Sequence, residues 1–211
     1  VTALALCLPW PGDSAAGETA PSYRFPWKAA GLTEREAAAH LLGRFSYGPR
    51  PGEIDRVLKM GLERWFERQL AGRQPEPRLW RLDALPALSM SADEIARTYR
   101  PRTGDRSPRE LVGQLQTQKL WRAAEAENQL TEVMTDFWFN HFNVSLTDNQ
   151  ARGYVLSYER DAIRPDSLGD FRDLLGATAR HPAMRSTPAR RRPASRTAAR
   201  PGSTPGRSSS G

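Results

Sequence analysis

Residues 128–148, NQLTEVMTDFWFNHFNVSLTD, constrain the fold more than any other stretch of the chain. Leu130, Val133, Met134, Phe137, Trp138 and His141 fall at offsets of 0, 3, 4, 7, 8 and 11, the spacing of one wide stripe on an α-helix. Phe139 and Phe142 lie off the stripe, so the end of this helix is apolar on more than one side. Such a helix is packed on several sides. The spacing therefore predicts a central helix over about 128–143, with the rest of the chain built around it.

The flanking sequence supplies partners of the same kind. Thr33-Glu34-Arg35-Glu36 is a capping box, opening a helix through Ala37, Leu41, Leu42 and Phe45 that stops before Gly48-Pro49. His40 on this helix reads as a partly buried, hydrogen-bonded residue. Pro51 opens a second helix carrying Ile54, Val57 and Leu58, and a third follows Gly61 with Leu62, Trp65, Phe66 and Leu70. Residues 72–90 read as a connecting loop. Ser91-Ala92-Asp93-Glu94 is a second capping box, and Ser107-Pro108-Arg109-Glu110 is a strong helix start leading through Leu111, Leu115 and then Leu120 or Trp121. Residues 153–163 read as helix, and a last helix is expected behind a Ser167 cap, with Leu168, Phe171, Leu174, Leu175 and Thr178 on one face. No alternating strand of useful length occurs. The fold class is therefore all-α, an irregular multi-helix bundle around a central aromatic-rich helix, with disordered termini.

Charge separates the chain into unequal parts. Residues 185–211 hold seven of the 31 basic residues and no acid, which leaves 24 bases against 24 acids in residues 1–184. The net charge of +7 is thus a property of the tail, and it is no argument for a nucleic-acid-binding domain. The tail has no Leu, Ile, Val, Phe, Tyr or Trp, so it is expected to be disordered. It reads either as a basic arm or as out-of-frame translation of a GC-rich gene. The expected organisation is a leader or degenerate signal-like segment and lead-in over 1–31, a partial helical domain over 32–184, and the basic tail. The short apolar run Thr2–Trp10 resembles the end of an incomplete secretory signal, which would place the protein in the periplasm or outside the cell. Phe25 and Trp27 in the lead-in are expected to dock on the body. A single cysteine, Cys7, allows no intrachain disulfide, and no apolar run approaches the ~20 residues of a membrane span.

No spacing spells out a reaction. His141 with Asn140 and Asn143 is the best polar group beside the aromatic helix; these three residues are the candidate catalytic groups, although a structural role, with the His141 ring hydrogen-bonded at the helix end, is the favoured reading. Glu132 and Asp136 lie nine and five residues earlier, about 180° and 140° round a helix from His141, so neither shares its face. No metal-ligand spacing and no cofactor-binding loop is present, so neither a metal nor a cofactor is expected. Glu159, Arg160, Asp161 and Arg164 read as an ion-pair network.

The segments 32–70, 130–165 and 168–184, and DFWFNHFNV above all, resemble the bacterial domain-of-unknown-function 1800 family. The resemblance implies a largely helical, commonly exported protein from a family whose biochemistry is unassigned, and it supplies no accepted catalytic residues. Family members continue beyond a segment like HPAM with a tyrosine- and leucine-rich stretch that this chain lacks. The missing C-terminal part of the domain is therefore the implied partner. Two functions are open at this point. One is a helical module of an exported protein, and the alternative is an N-terminal fragment of a hydrolase-like or metal-dependent enzyme.

Overall fold

The computed structural model describes residues 24–144 and 149–186. The expected leader, except for the lead-in from residue 24, and the basic tail beyond residue 186 lie outside the described residues. Helices carry the described residues, and no strand occurs among them.

The N-terminal third is a trio of helices, α1 (Glu34–Phe45), α2 (Glu53–Met60) and α3 (Leu62–Ala71). The Thr33 capping box forms in full, with the Thr33 hydroxyl accepting from the Glu36 amide and the Glu36 carboxylate accepting from the Thr33 amide. Ala38, Leu42 and Val57 are completely buried beside Leu41, Leu62 and Trp65, each large side chain contributing about 1.5–3 kcal/mol of burial. Phe25 and Trp27 pack on this core as expected, and the Phe25 ring meets Phe66 edge-on at 5.5 Å. His40 departs from expectation. It is exposed, because the inward face of α1 is taken by Ala37, Ala38, Leu41 and Leu42. Gly72 closes α3 at φ +59°, and a Cβ there would come within 3.1 Å of the Thr131 hydroxyl. Both features favour glycine.

Residues 72–90 connect the trio to the next layer through two 3₁₀ turns, Leu79–Ala84 and Pro86–Leu88. A short α4 (Ala92–Thr98) follows, started by the Ser91–Glu94 capping box. The long α5 (Pro108–Glu125) holds this layer down. Gln114 accepts from the Ala87 amide at 3.0 Å and donates to the Tyr99 hydroxyl at 2.8 Å. The choice between Leu120 and Trp121 falls to Trp121, which packs against the 3₁₀ turns while Leu120 points outward.

The central helix is α6 (Gln129–His141), followed by α7 (Asn149–Arg152), α8 (Val155–Ser157), α9 (Phe171–Arg180) and α10 (Pro182–Ser186). Two local expectations are corrected. Residues 158–163 continue α8 as a π-helical turn, not as plain α-helix. The start of α9 is capped by Asp170, whose Oδ1 accepts from the Arg172 amide at 2.7 Å, while the Ser167 hydroxyl donates back to the Arg164 carbonyl. Asp170 wins because it directly precedes the helix, so its carboxylate meets the free amide two residues later, whereas Leu168 and Gly169 separate Ser167 from it.

The orientation of α6 is the main finding of the fold. Its buried residues are Gln129, Leu130, Glu132, Thr135 and Phe139. The apolar stripe expected to face inward is inward only at Leu130. Phe137 is 52% exposed, and Val133, Met134 and Trp138 are half-buried. No helix among the described residues is long and apolar enough to cross a membrane.

Candidate functional site

Two features of α6 could carry a function: the polar face it buries and the ring face it shows. The start of α6 is held by distant side chains. Asn128 makes no side-chain cap bond to the helix. Instead, the Glu76 carboxylate accepts from the amides of Glu127 at 2.6 Å and Asn128 at 2.9 Å, and Gln69 Oε1 accepts from the Leu130 amide at 3.1 Å. A carboxylate on the free amides of a helix N-terminus meets the positive end of the dipole. This anchoring sets the rotation that turns Glu132 and Thr135 inward.

Glu159 meets them from the π-helical turn. On an α-helix, residues five apart point about 140° away from each other. The π turn instead closes a hydrogen bond from the Arg164 amide to the Glu159 carbonyl at 2.9 Å, five residues back. Arg164 and Glu159 thereby share a face. Arg164 Nη2 donates to Glu159 Oε1 at 3.0 Å and Nη1 donates to Glu132 Oε1 at 2.7 Å. From α5, Gln118 Nε2 donates to Glu159 Oε1 at 2.8 Å. Lys119 Nζ donates to Asp136 at 2.7 Å and lies 3.0 Å from Glu159 Oε2. The second contact is an ion pair whose angle is wrong for a hydrogen bond, so Glu159 Oε2 is buried with a charge beside it and no aligned donor. Arg122 completes the set, 3.5 Å from Glu132.

Glu132, Asp136 and Glu159 therefore face Lys119, Arg122 and Arg164, three charges of each sign. Burial disfavours the Arg164 cation, but the Glu132 and Glu159 charges outweigh it and hold its pKa above the ordinary arginine value. Arg122 is pushed the other way, first by burial and then by Arg164. Tyr47 sits on the flank, its amide donating to Gln129 Oε1 at 3.3 Å. Burial, reinforced by Asp136, Glu132 and Glu159, pushes its phenol up to about 12. Such an arrangement clamps α5, α6 and the π turn together. Each carboxylate has at least one cation within 3.0 Å.

The expected network at 159–164 is present in a different pairing. Arg160 pairs with Asp161 and its guanidinium donates to the carbonyls of Ala87, Leu88 and Met90, while Arg164 turns inward. The larger cluster was missed because its members come from three segments. The available signal was the run Gln129, Glu132, Thr135, Phe139, a second stripe opposite the apolar one.

The three candidate residues lie on the outer face. His141 is exposed, stacked on Phe137 at 5.9 Å and edge-on to Trp138 and Phe142. Asn140 is exposed and donates to the Asp136 carbonyl at 2.8 Å and to its Oδ2 at 3.2 Å. Asn143 is exposed beyond the helix end. His141 belongs to the ring face, in which Trp138 lies 5.7 Å from both Phe142 and Phe171. Trp138 Nε1 donates to the Ser167 carbonyl at 3.0 Å, fixing the indole. Among the described residues, no group of three His, Cys, Asp or Glu is gathered to hold a metal ion.

No curated protein and no solved structure matches this chain. A family model described as protein of unknown function (DUF1800) matches residues 40–186. That span is well over half the chain and contains the ion-pair cluster, the π turn and the ring face. The chain belongs to the DUF1800 family of proteins of unknown function.

Proposed function

We propose that the chain serves as a helical docking module of an exported protein. The ring face of α6 and α9 receives the leucine- and tyrosine-rich helical stretch with which longer family members continue. The observation that carries this reading is the rings themselves. Phe137 and Phe171, 52% and 53% exposed, are in ring contact with half-buried Trp138, and Trp138 packs on the C-terminal core. Leu175, 45% exposed, extends the patch along α9. An apolar patch continuous with a core is the kind of surface that a partner helix covers. Beyond residue 186 the sequence contains no apolar side chain larger than proline, so the cover has to be another segment. The ion-pair clamp behind α6 supports the reading, because a platform held rigid costs less to dock on.

The test is co-expression of this chain with the segment of a longer family member that follows its HPAM-like motif. The two should co-purify, and dye binding to the free chain's apolar surface should fall. Phe137→Ser with Phe171→Ser should abolish both effects while leaving the helical circular-dichroism signal intact. Failure to co-purify, together with a dye-silent free monomer, rejects the proposal.

A further inference from the structure

A groove of about 650 Å³ opens between the 3₁₀ turns and Arg122 of α5. Its walls include Leu79, Trp80, Leu82, Leu85 and Leu88, and Arg122 reaches it from the cluster. The volume is that of a small-molecule site. Of the three cations in the cluster, Arg122 has the longest contact with a carboxylate. Its Nε donates to Gln118 Oε1 at 3.2 Å. Its Nη1 lies 3.5 Å from a Glu132 oxygen that Arg164 already holds at 2.7 Å. Its side chain is 21% exposed and lines the groove, so the guanidinium is within reach of a ligand there.

We propose that this groove binds an amphipathic monocarboxylate, with the carboxylate on Arg122 and the hydrocarbon body along Leu82, Leu85, Leu88 and the exposed face of Trp80. A planar carboxylate matches the guanidinium fork with two parallel hydrogen bonds. The acids in the wall set the charge of the ligand. Glu76 and Asp83 both line the groove. Glu76 is held in place by the amides of Glu127 and Asn128, so a dianion would meet fixed negative charge. The leucine wall favours a chain of several carbons over acetate or chloride. Trp80, 64% exposed with Arg81 over its ring at 5.0 Å, lines the same groove.

The experiment uses the full chain and sodium octanoate, followed by calorimetry. Saturable one-site binding is expected, with 1-octanol at least tenfold weaker because it lacks the charge, and with acetate undetectable. Arg122→Gln should lower octanoate affinity about 10–100-fold, the effect of losing a charge-assisted pair. Trp80→Ala, which leaves the ion-pair cluster untouched, should lower it severalfold, so the site remains testable if Arg122→Gln fails to fold. Phe137→Ser with Phe171→Ser should leave octanoate binding unchanged, which separates this site from the docking face. Equal binding of octanoate and octanol, absence of saturation, or loss of binding in the Phe137 and Phe171 variant would each overturn the proposal.

Discussion

The α1–α3 trio and the α5–α6–π centre are both three-element packings, but different materials hold them. The trio closes over Leu42, Val57, Leu62 and Trp65, and its buried acid, Glu53, lies at the edge against Arg50 and Arg56. The centre shares a buried apolar core of Leu115, Phe139, Tyr158 and Ile163, and adds to it Glu132, Asp136, Glu159 and their three cations, with Phe139 beneath Lys119 at 4.2 Å. Apolar packing tolerates local repacking, because dispersion and burial have little direction. A buried ion cluster does not, because each charge taken from water is stabilised by a partner in one geometry. The two regions should therefore respond differently to the loss of one side chain.

The largest effect should come from Glu159→Ala. It leaves Arg164 and Lys119 facing a void, with Arg164 sharing Glu132 with Arg122. Removing one partner of a buried pair costs about 3–5 kcal/mol, a large share of the ~5–15 kcal/mol that holds an ordinary domain. Chemical denaturation should show this loss, and hydrogen exchange should place it in α5, α6 and the π turn. A loss below about 1 kcal/mol would mean that water already screens the cluster, and the contrast between the regions would fail. Leu42→Ala in the trio should cost about 2–5 kcal/mol by cavity formation, less where the helices relax into the space. Its exchange signature should be confined to α1–α3. If instead the centre loosens equally, the two regions form one cooperative unit.

The same contrast governs what can be read from residue order. The trio is legible because its signals are local: a Thr33–Glu36 box, glycines at the breaks, and apolar residues at the inward positions. Helical content and the absence of strands among the described residues followed from periodicity in the same way. The rotation of α6 did not, because periodicity finds the apolar stripe and assumes that it faces inward. Here non-local anchors, Glu76 and Gln69, hold the helix by its N-terminus and turn Glu132 and Thr135 toward the core. The π turn was equally hidden. A five-residue hydrogen bond depends on what Glu159 and Arg164 meet in space, and neither partner segment is near in sequence. His141 lies against the rings while Asn140 bonds to Asp136, and the outward position of these residues and of Asn143 depends on that same rotation.

Acid should separate the regions by the smallest and most local effect. His181 ends α9, and its Nδ1 accepts from the Ala183 amide at 3.2 Å, serving the first turn of α10. Its ring lies 5.3 Å from that of Tyr158. Burial, aided by the Arg160 charge and opposed by Asp161, lowers its pKa from 6.5. The folded state therefore takes up its proton less readily than the unfolded state. This stabilisation is present above pH 6.5 and is lost as pH falls through the folded value. Glu53 in the trio is also depressed. Burial acts against its charge, but its bonds to Arg50 and the charges of Arg50 and Arg56 prevail, so its contribution fades only as pH falls below 4.5. Between these limits α9 and α10 should loosen first while α1–α3 hold. Losing a cap of this kind costs about 1 kcal/mol. Hydrogen exchange at pH 7 and pH 5, corrected for intrinsic rates, should show the difference at the α9–α10 junction. His181→Asn, whose Oδ1 can accept from the Ala183 amide without titrating, should remove it. A uniform change across α1–α3 and α9–α10, or one that survives in the variant, would assign the acid response to some other group and erase the distinction.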